Sequence, residues 1–219
     1  MHIFDNVLQP YVWAPLAGVA ICGVVVAEKS CGWREDESRI PLMGVLGAFI
    51  FAAQVLNIPV GLGMSGHLIG AALLAILVGP SASILVMACI LIIQCLILGD
   101  GGVTALGANI VNLAIIASLV GWSVHGLASR FPGGMGWRRT IAPFVAGWMS
   151  VVIPSLAAAL EIGLSGTIPL KEGLILVGAY HMLIGVLEGI ITVGVLRYLA
   201  HNRPDILPAS LRPLMEPSR

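Results

Sequence analysis

Seven apolar runs, separated by short segments of glycine, proline or charge, make up most of this chain and limit what it can fold into. They span residues 13–27, 40–57, 65–79, 83–98, 104–127, 141–162 and 172–199. Charged residues are only 10% of the 219 residues and hydrophobic ones 58%, whereas soluble domains carry about 25% charged residues. Mean hydropathy is +1.00. A water-facing surface cannot be built from such runs, but a lipid-facing one can. Inside lipid the backbone must satisfy its own hydrogen bonds, which favours helices. The expectation is therefore an all-α polytopic membrane protein with about seven transmembrane helices and one integral membrane domain over 1–219. Within it, 1–12 is an N-terminal loop, 13–199 a helical bundle and 200–219 a tail. Several runs fall short of the roughly 20 residues of a straight crossing, so the span boundaries are approximate.

The breaks carry their own signals. Glu28 to Arg39 is the segment densest in charge. Gly79-Pro80 and Gly99-Asp100-Gly101-Gly102 are turn sequences. Residues 129–140 are basic and glycine-rich, Pro154 interrupts the sixth run, and Pro204, Pro208, Pro213 and Pro217 mark an irregular tail. Gly44/Gly47/Ala48, Gly66/Gly70/Ala71 and Gly101/Ala105/Ala108 recur at helical spacing, where small residues let helices approach closely in membranes. No phosphate-binding loop of the Walker type is present and nothing points to nucleic acid; any ATPase would be a separate chain. Cys22, Cys31, Cys89 and Cys95 lack CxxC spacing and read as small buried hydrophobes.

With seven spans, one side of the membrane receives Lys29, Arg34, Arg39, Arg130, Arg138, Arg139, Arg197, Arg203, Arg212 and Arg219. The other receives only Lys171, so ten of the 11 cations share a side. The positive-inside rule then predicts a cytoplasmic C-terminus and an external N-terminus. Residues 1–12 hold no Lys or Arg, so no secretory signal is expected. Because His2 is too large for the usual removal of the initiator residue, Met1 is expected to stay with a free amine.

That amine is chemically useful. The Met1 nitrogen, the backbone amide of His2 and the His2 imidazole can chelate one ion, and a further imidazole would complete a square plane. His67, in Gly63-Met64-Ser65-Gly66-His67, starts the third run on the same predicted side and can supply it. Four nitrogens in a plane suit Ni(II) or Cu(II), with low-spin Co(II) conceivable. The alternative reading is a frayed terminus and a merely polar His67. Asp5, Ser65, Asp100 and Asn109 are candidates to support the site. Asp100 reads equally as an interface residue, a helix cap or a partner for a ligand imidazole. His181 and Glu188 lie seven residues apart on one helix face, as ligands, a proton relay or a hydrogen-bonded tie between spans, the last being favoured. Glu161 reads as solvated near an external span end, and His125 and His201 as surface residues on the cytoplasmic side.

Long stretches also resemble a known family: Met1-His2-Ile3, residues 40–54 (IPLMGVLGAFIFAAQ from Ile40), Ser65 to Gly70, Gly99 to Asn109, and His181 to Thr192 with Gly185, Glu188 and Gly189. In order, and to about residue 205, they resemble the CbiM/NikM family. The resemblance implies the substrate-binding component of an energy-coupling factor (ECF) transporter for Co(II) or Ni(II) in a prokaryotic cell (inner) membrane, often serving cobalamin synthesis. It implies Met1, His2 and His67 as the ion's square-planar ligands, with the ion as cargo and no permanent cofactor. It also implies three kinds of partner: a transmembrane coupling protein, a cytoplasmic ATPase pair and a small accessory membrane protein. The chain departs from the family at Asn6, where Gly is common, at Val7, where an aromatic is common, and at Met64, where Thr is frequent. Two other classes compete with this reading. An intramembrane metallohydrolase would need a general base and an open coordination position, and no HExxH is present. A stand-alone secondary transporter or channel would show inverted repeats or midplane polar residues, and no repeat is evident.

Overall fold

The computed structural model describes residues 1–32, 39–55, 58–61, 64–131, 134–208 and 211. Among these it contains seven helices of more than one turn: α1 (Pro10–Ser30), α2 (Arg39–Gln54), α3 (Ala71–Val78), α4 (Pro80–Leu98), α5 (Leu106–Ala128), α6 (Trp137–Leu164) and α7 (Leu170–Asn202). Each of the seven apolar runs thus yields one helix. Five of them (α1, α4, α5, α6 and α7) are long and apolar enough to cross a membrane. The chain is a multi-pass membrane protein.

The third run is where the sequence reading departs most. Only Ala71–Val78 is helical, eight residues or about 12 Å of rise, and its residues from Ala71 to Leu77 are buried. The segment before it forms a short antiparallel hairpin, β1 (Ile58–Gly61) with β2 (Met64–Gly66), in register Ile58↔Gly66. It then runs irregularly through His67 to Gly70, where φ is +77°. Glycine adopts that left-handed conformation without steric cost. A Cβ at Gly70 would also lie 2.8 Å from Ile50. The result is a half-length helix that leaves His67 inside the bundle rather than at its rim.

The bundle wears its apolar residues outward, as a lipid-facing protein does. Ile97, Leu183 and Ile21 are among its most exposed side chains, while Gln54, Gln94, Asn109, His181 and Glu188 are buried. Cys95 is buried too, but Cys22 and Cys89 are exposed on this apolar surface, which corrects the expectation that all four cysteines lie inside. The most extensive packing joins α6 to α7. Gly185 brings α7 to within 2.9 Å of the Trp148 side chain and Gly189 to within 2.8 Å of Phe144, measured from an added Cβ. Any larger residue at either position would force the helices apart. The chain turns back into the core after α7, and Leu207 and Leu211 are buried, so this part of the tail packs against the bundle.

Two helices carry π-helical stretches beside the centre described next: Gln94–Leu98 in α4 and Ile110–Ile116 in α5. Such widened turns shift which side chains face inward and often sit at functional sites. Here they turn Gln94, Ile110 and Asn112 toward the core.

Candidate metal centre

The first nine residues form a strap that enters the bundle instead of trailing from it. Met1, His2 and Ile3 are all at most 1% exposed. An Asn109 carboxamide clamps the strap from both sides: Ile3 N–H donates to Asn109 Oδ1 at 2.8 Å, and Asn109 Nδ2 donates to the Ile3 carbonyl at 3.0 Å. Gly102 N–H donates to the same carbonyl at 2.9 Å. Asp5 closes the strap from outside, accepting from the amides of Val103 (3.1 Å) and Thr104 (2.8 Å) and from the Thr104 hydroxyl (2.6 Å). These bonds, the Thr104 hydroxyl first, hold its carboxyl below the usual carboxylate range. Further on, Thr167 donates to the Val7 carbonyl and Gln9 N–H to Ser165 Oγ. Asn6 sits at φ +66°. Asparagine tolerates that conformation better than most non-glycine residues, which explains how this chain keeps the turn where its resembled family often has Gly.

The strap delivers His2 to His67. The two rings stack with centroids 4.6 Å apart and planes 28° from parallel. His2 Nδ1 lies 3.1 Å from His67 Nε2. Covalent connectivity makes Nδ1 the imidazole nitrogen of His2 that closes a six-membered chelate with its own amide. Two nitrogens bound at ~2.0 Å to one ion at right angles stand ~2.8 Å apart, so the observed pair needs little adjustment to become neighbouring ligands. His67 Nδ1 donates to the Leu68 carbonyl at 2.6 Å, leaving Nε2 with its lone pair toward His2. Asp100 Oδ1 lies 3.2 Å from His2 Nδ1. Among the described residues no group of three or more His, Cys, Asp or Glu forms a metal cluster. The two rings stand beside the Met1 amine and the His2 amide, which are further nitrogen donors of a different type.

The electrostatics favour neutral donors. Burial drives the Met1 amine well below its ordinary value, against the pull of Asp100. Burial also drives His67 well down, helped by the nearby amine and His2. His2 is lowered by burial, which outweighs its hydrogen bond to Asp100. The amine and His67 Nε2 lone pairs are thus open to a cation, whereas His2 Nδ1 carries the proton it directs at Asp100 and His67 and must give it up to bind one; the Asp100 carboxylate lies beside it.

Beneath the rings, the His67 segment is fixed by α7. Glu188 accepts from the amides of Ile69 at 2.9 Å and Gly70 at 2.6 Å. Gln54 Nε2 donates to the Ile69 carbonyl at 2.6 Å, and Gln94 Nε2 donates to Gln54 Oε1 at 2.9 Å. Glu188 is therefore a tie between spans, the role favoured for it from sequence, and it ties the loop that carries His67. Replacing it by Gln is expected to set an NH2 group against one of the two amide N–H groups. That costs about 1–3 kcal/mol and should appear as a lower unfolding midpoint together with weaker ion binding by the purified protein.

Gln54 and Gln94 carry no charge and so do not stand out among the ionisable groups of the spans. The available signal was a lone carboxamide in each of two apolar runs, since polar groups in membranes face the bundle interior. Ser65 lies in β2, its side chain outside the described set. Two expectations are corrected. Glu161 is buried rather than solvated and accepts from Asn112 Nδ2 at 2.9 Å, because α5 and α6 pack over it. His125 is buried rather than on the surface, lying on the inner face of α5. His201 is exposed, as expected.

The bundle has counterparts among solved structures. A crystal structure of a transition metal transporter superimposes with TM-score 0.83 and 29% identity, covering 97% of each chain. A truncated transition metal transporter gives 0.81 and 30%, covering 91% of this chain and 98% of that one. The fold is that of a transition metal transporter. The family profile described as CbiM, cobalt uptake substrate-specific transmembrane region, matches residues 2–206, and the chain belongs to that family. It is 40% identical to a putative fused nickel transport protein NikMN of Archaeoglobus fulgidus, over 97% of this chain and 70% of that protein. It is 33% identical to a cobalt transport protein CbiM of Sorangium cellulosum, over 94% of each. It is a cobalt/nickel transport membrane protein of the CbiM type.

Proposed function

We propose that this chain is the ion-binding subunit of an energy-coupled importer and takes Co(II) or Ni(II) from the external side into a square plane. The ligands are the Met1 amine, the His2 amide and Nδ1, and His67 Nε2. The observation that carries this reading is the 3.1 Å approach of His2 Nδ1 to His67 Nε2 beside a buried terminal amine. The cation asymmetry of the loops supports placing this end of the bundle outside.

In this reading the strap is both lid and ligand. An arriving ion displaces the amide proton of His2, while burial has already favoured the neutral amine and imidazoles. Asp100 offsets the ion's charge and Asn109 holds Ile3, so that the donors of residues 1 and 2 converge. Release requires the strap or the His67 loop to move, and ATP hydrolysis in partner chains drives that movement. The partners are a transmembrane coupling protein, a cytoplasmic ATPase pair and a small accessory membrane protein.

The test is uptake of Ni(II) or Co(II) by cells producing this chain alone, with the coupling protein and ATPase pair, and with an ATPase pair lacking hydrolytic activity. Concentrative uptake is expected only with the active pair. Equal uptake by the chain alone would establish a self-sufficient transporter instead.

A further inference from the structure

His181 has no place in the ligand set above, yet it is fully buried on the face of α7 that carries Glu188. Its Nδ1 donates to the Val177 carbonyl one turn back, at 2.8 Å. That bond fixes the tautomer, so Nε2 is an acceptor with its lone pair free. Nε2 has no hydrogen-bond partner among the described residues. Buried polar nitrogens are rarely left so. The ring lies within electrostatic range of the terminal amine and of His67. Glu188, two turns further along α7, grips the loop next to His67, so His181 faces the centre from the same wall.

The opposite requirement arises at Met1. Once the amine gives its lone pair to an ion, two N–H groups remain in a site closed to water. A buried donor without an acceptor is costly. The carboxylate of Asp100 is engaged at the His2 ring, 3.2 Å from Nδ1, so two N–H groups on the amine call for a second acceptor.

We propose that His181 is the buried acceptor for the Met1 amine in the ion-loaded state, with its Nε2 receiving one N–H and thereby aiming the amine lone pair at the ion. His181 is thus a positioning residue and not a ligand. This rests on the ion site proposed above. A carboxamide acceptor at the same position can serve in its place, whereas an apolar side chain of similar volume cannot.

The experiment titrates the purified full chain, authentic at its N-terminus, with Ni(II) and follows visible absorption. The variants are His181→Leu, His181→Phe and His181→Gln, each checked for a monodisperse, cooperatively unfolding protein. Leu and Phe are expected to weaken binding about 10- to 100-fold, the range for groups that orient a ligand, with the absorption bands of the loaded protein unchanged. Gln is expected to recover most of the loss. Wild-type affinity in Leu and Phe would overturn the proposal. So would equal loss in all three variants, which indicates a packing role, or a changed band pattern, which makes His181 a ligand. If Leu and Phe do not fold, the Gln variant decides, since it must fold and bind within a few-fold of wild type. His67→Ala in the same series separates the two levels: undiminished binding there would sink the ion site itself.

Discussion

A His67→Ala chain is expected to lose Ni(II) and Co(II) binding by at least ~100-fold, beyond the range for groups that merely orient ligands. His67 supplies the only one of the four proposed nitrogens that lies outside residues 1 and 2. Without it the chelate of Met1 and His2 has no imidazole across from the amide nitrogen. The fold should survive, because the loop carrying His67 is held through Ile69 and Gly70 by Glu188 and Gln54 rather than through the ring. The ion-free protein should also respond to pH in a defined direction. Burial lowers the folded-state values of the Met1 amine, His2 and His67. The unfolded chain therefore binds more protons in the window below the ordinary values of about 6.5 and 8. The contribution of these three groups to the stability of the ion-free protein then rises with pH up to about 8 and levels off above it. In His67→Ala that slope should be shallower at pH 5 to 6.5, which thermal unfolding across pH would measure.

Gly102→Ala is expected to weaken ion binding about 10- to 100-fold without touching any proposed ligand. A Cβ at this position would clash with the backbone nitrogen of Asp5 and lie 2.6 Å from the Phe4 carbonyl carbon. Both are backbone atoms, so no rotamer change relieves the contact, and the strap itself must move. That movement breaks the Gly102 N–H bond to the Ile3 carbonyl and disturbs the grip of Asp5 on Thr104. Two residues away, the chelating end of the strap loses its seat beside His67. Gly44→Ala is the matched control, since an added Cβ there meets nothing within 4 Å. Isothermal titration of both variants with Ni(II) compares them, and equal affinity in the two would show that the strap tolerates displacement.

Much of this was legible in the residues. Apolar runs of this length specify membrane helices because no other arrangement satisfies their backbone in lipid, and each run did become a helix. His2 and His67 could be paired because connectivity allows only certain chelates and few imidazoles exist. What escaped notice has a common cause. The late start of the third helix at Ala71 depends on Gly70 packing against Ile50 and on Glu188, more than a hundred positions away in sequence, capturing two amides. The same holds for Asn109, named only as a possible support, whose carboxamide brackets Ile3. The two π-helical stretches beside the centre leave no periodic trace at all in runs that are apolar on every side.

The measurement that tests the central claim most directly compares Ni(II) binding by the chain with an authentic N-terminus and by one carrying a single extra residue before Met1. The extension converts the amine into an amide and moves the new terminus away from His67, while every side chain is retained. Loss of binding with the fold intact is the predicted result. Undiminished binding by the extended chain would contradict the terminal chelate and turn the search for the ligands to His67 with His181 and Glu188.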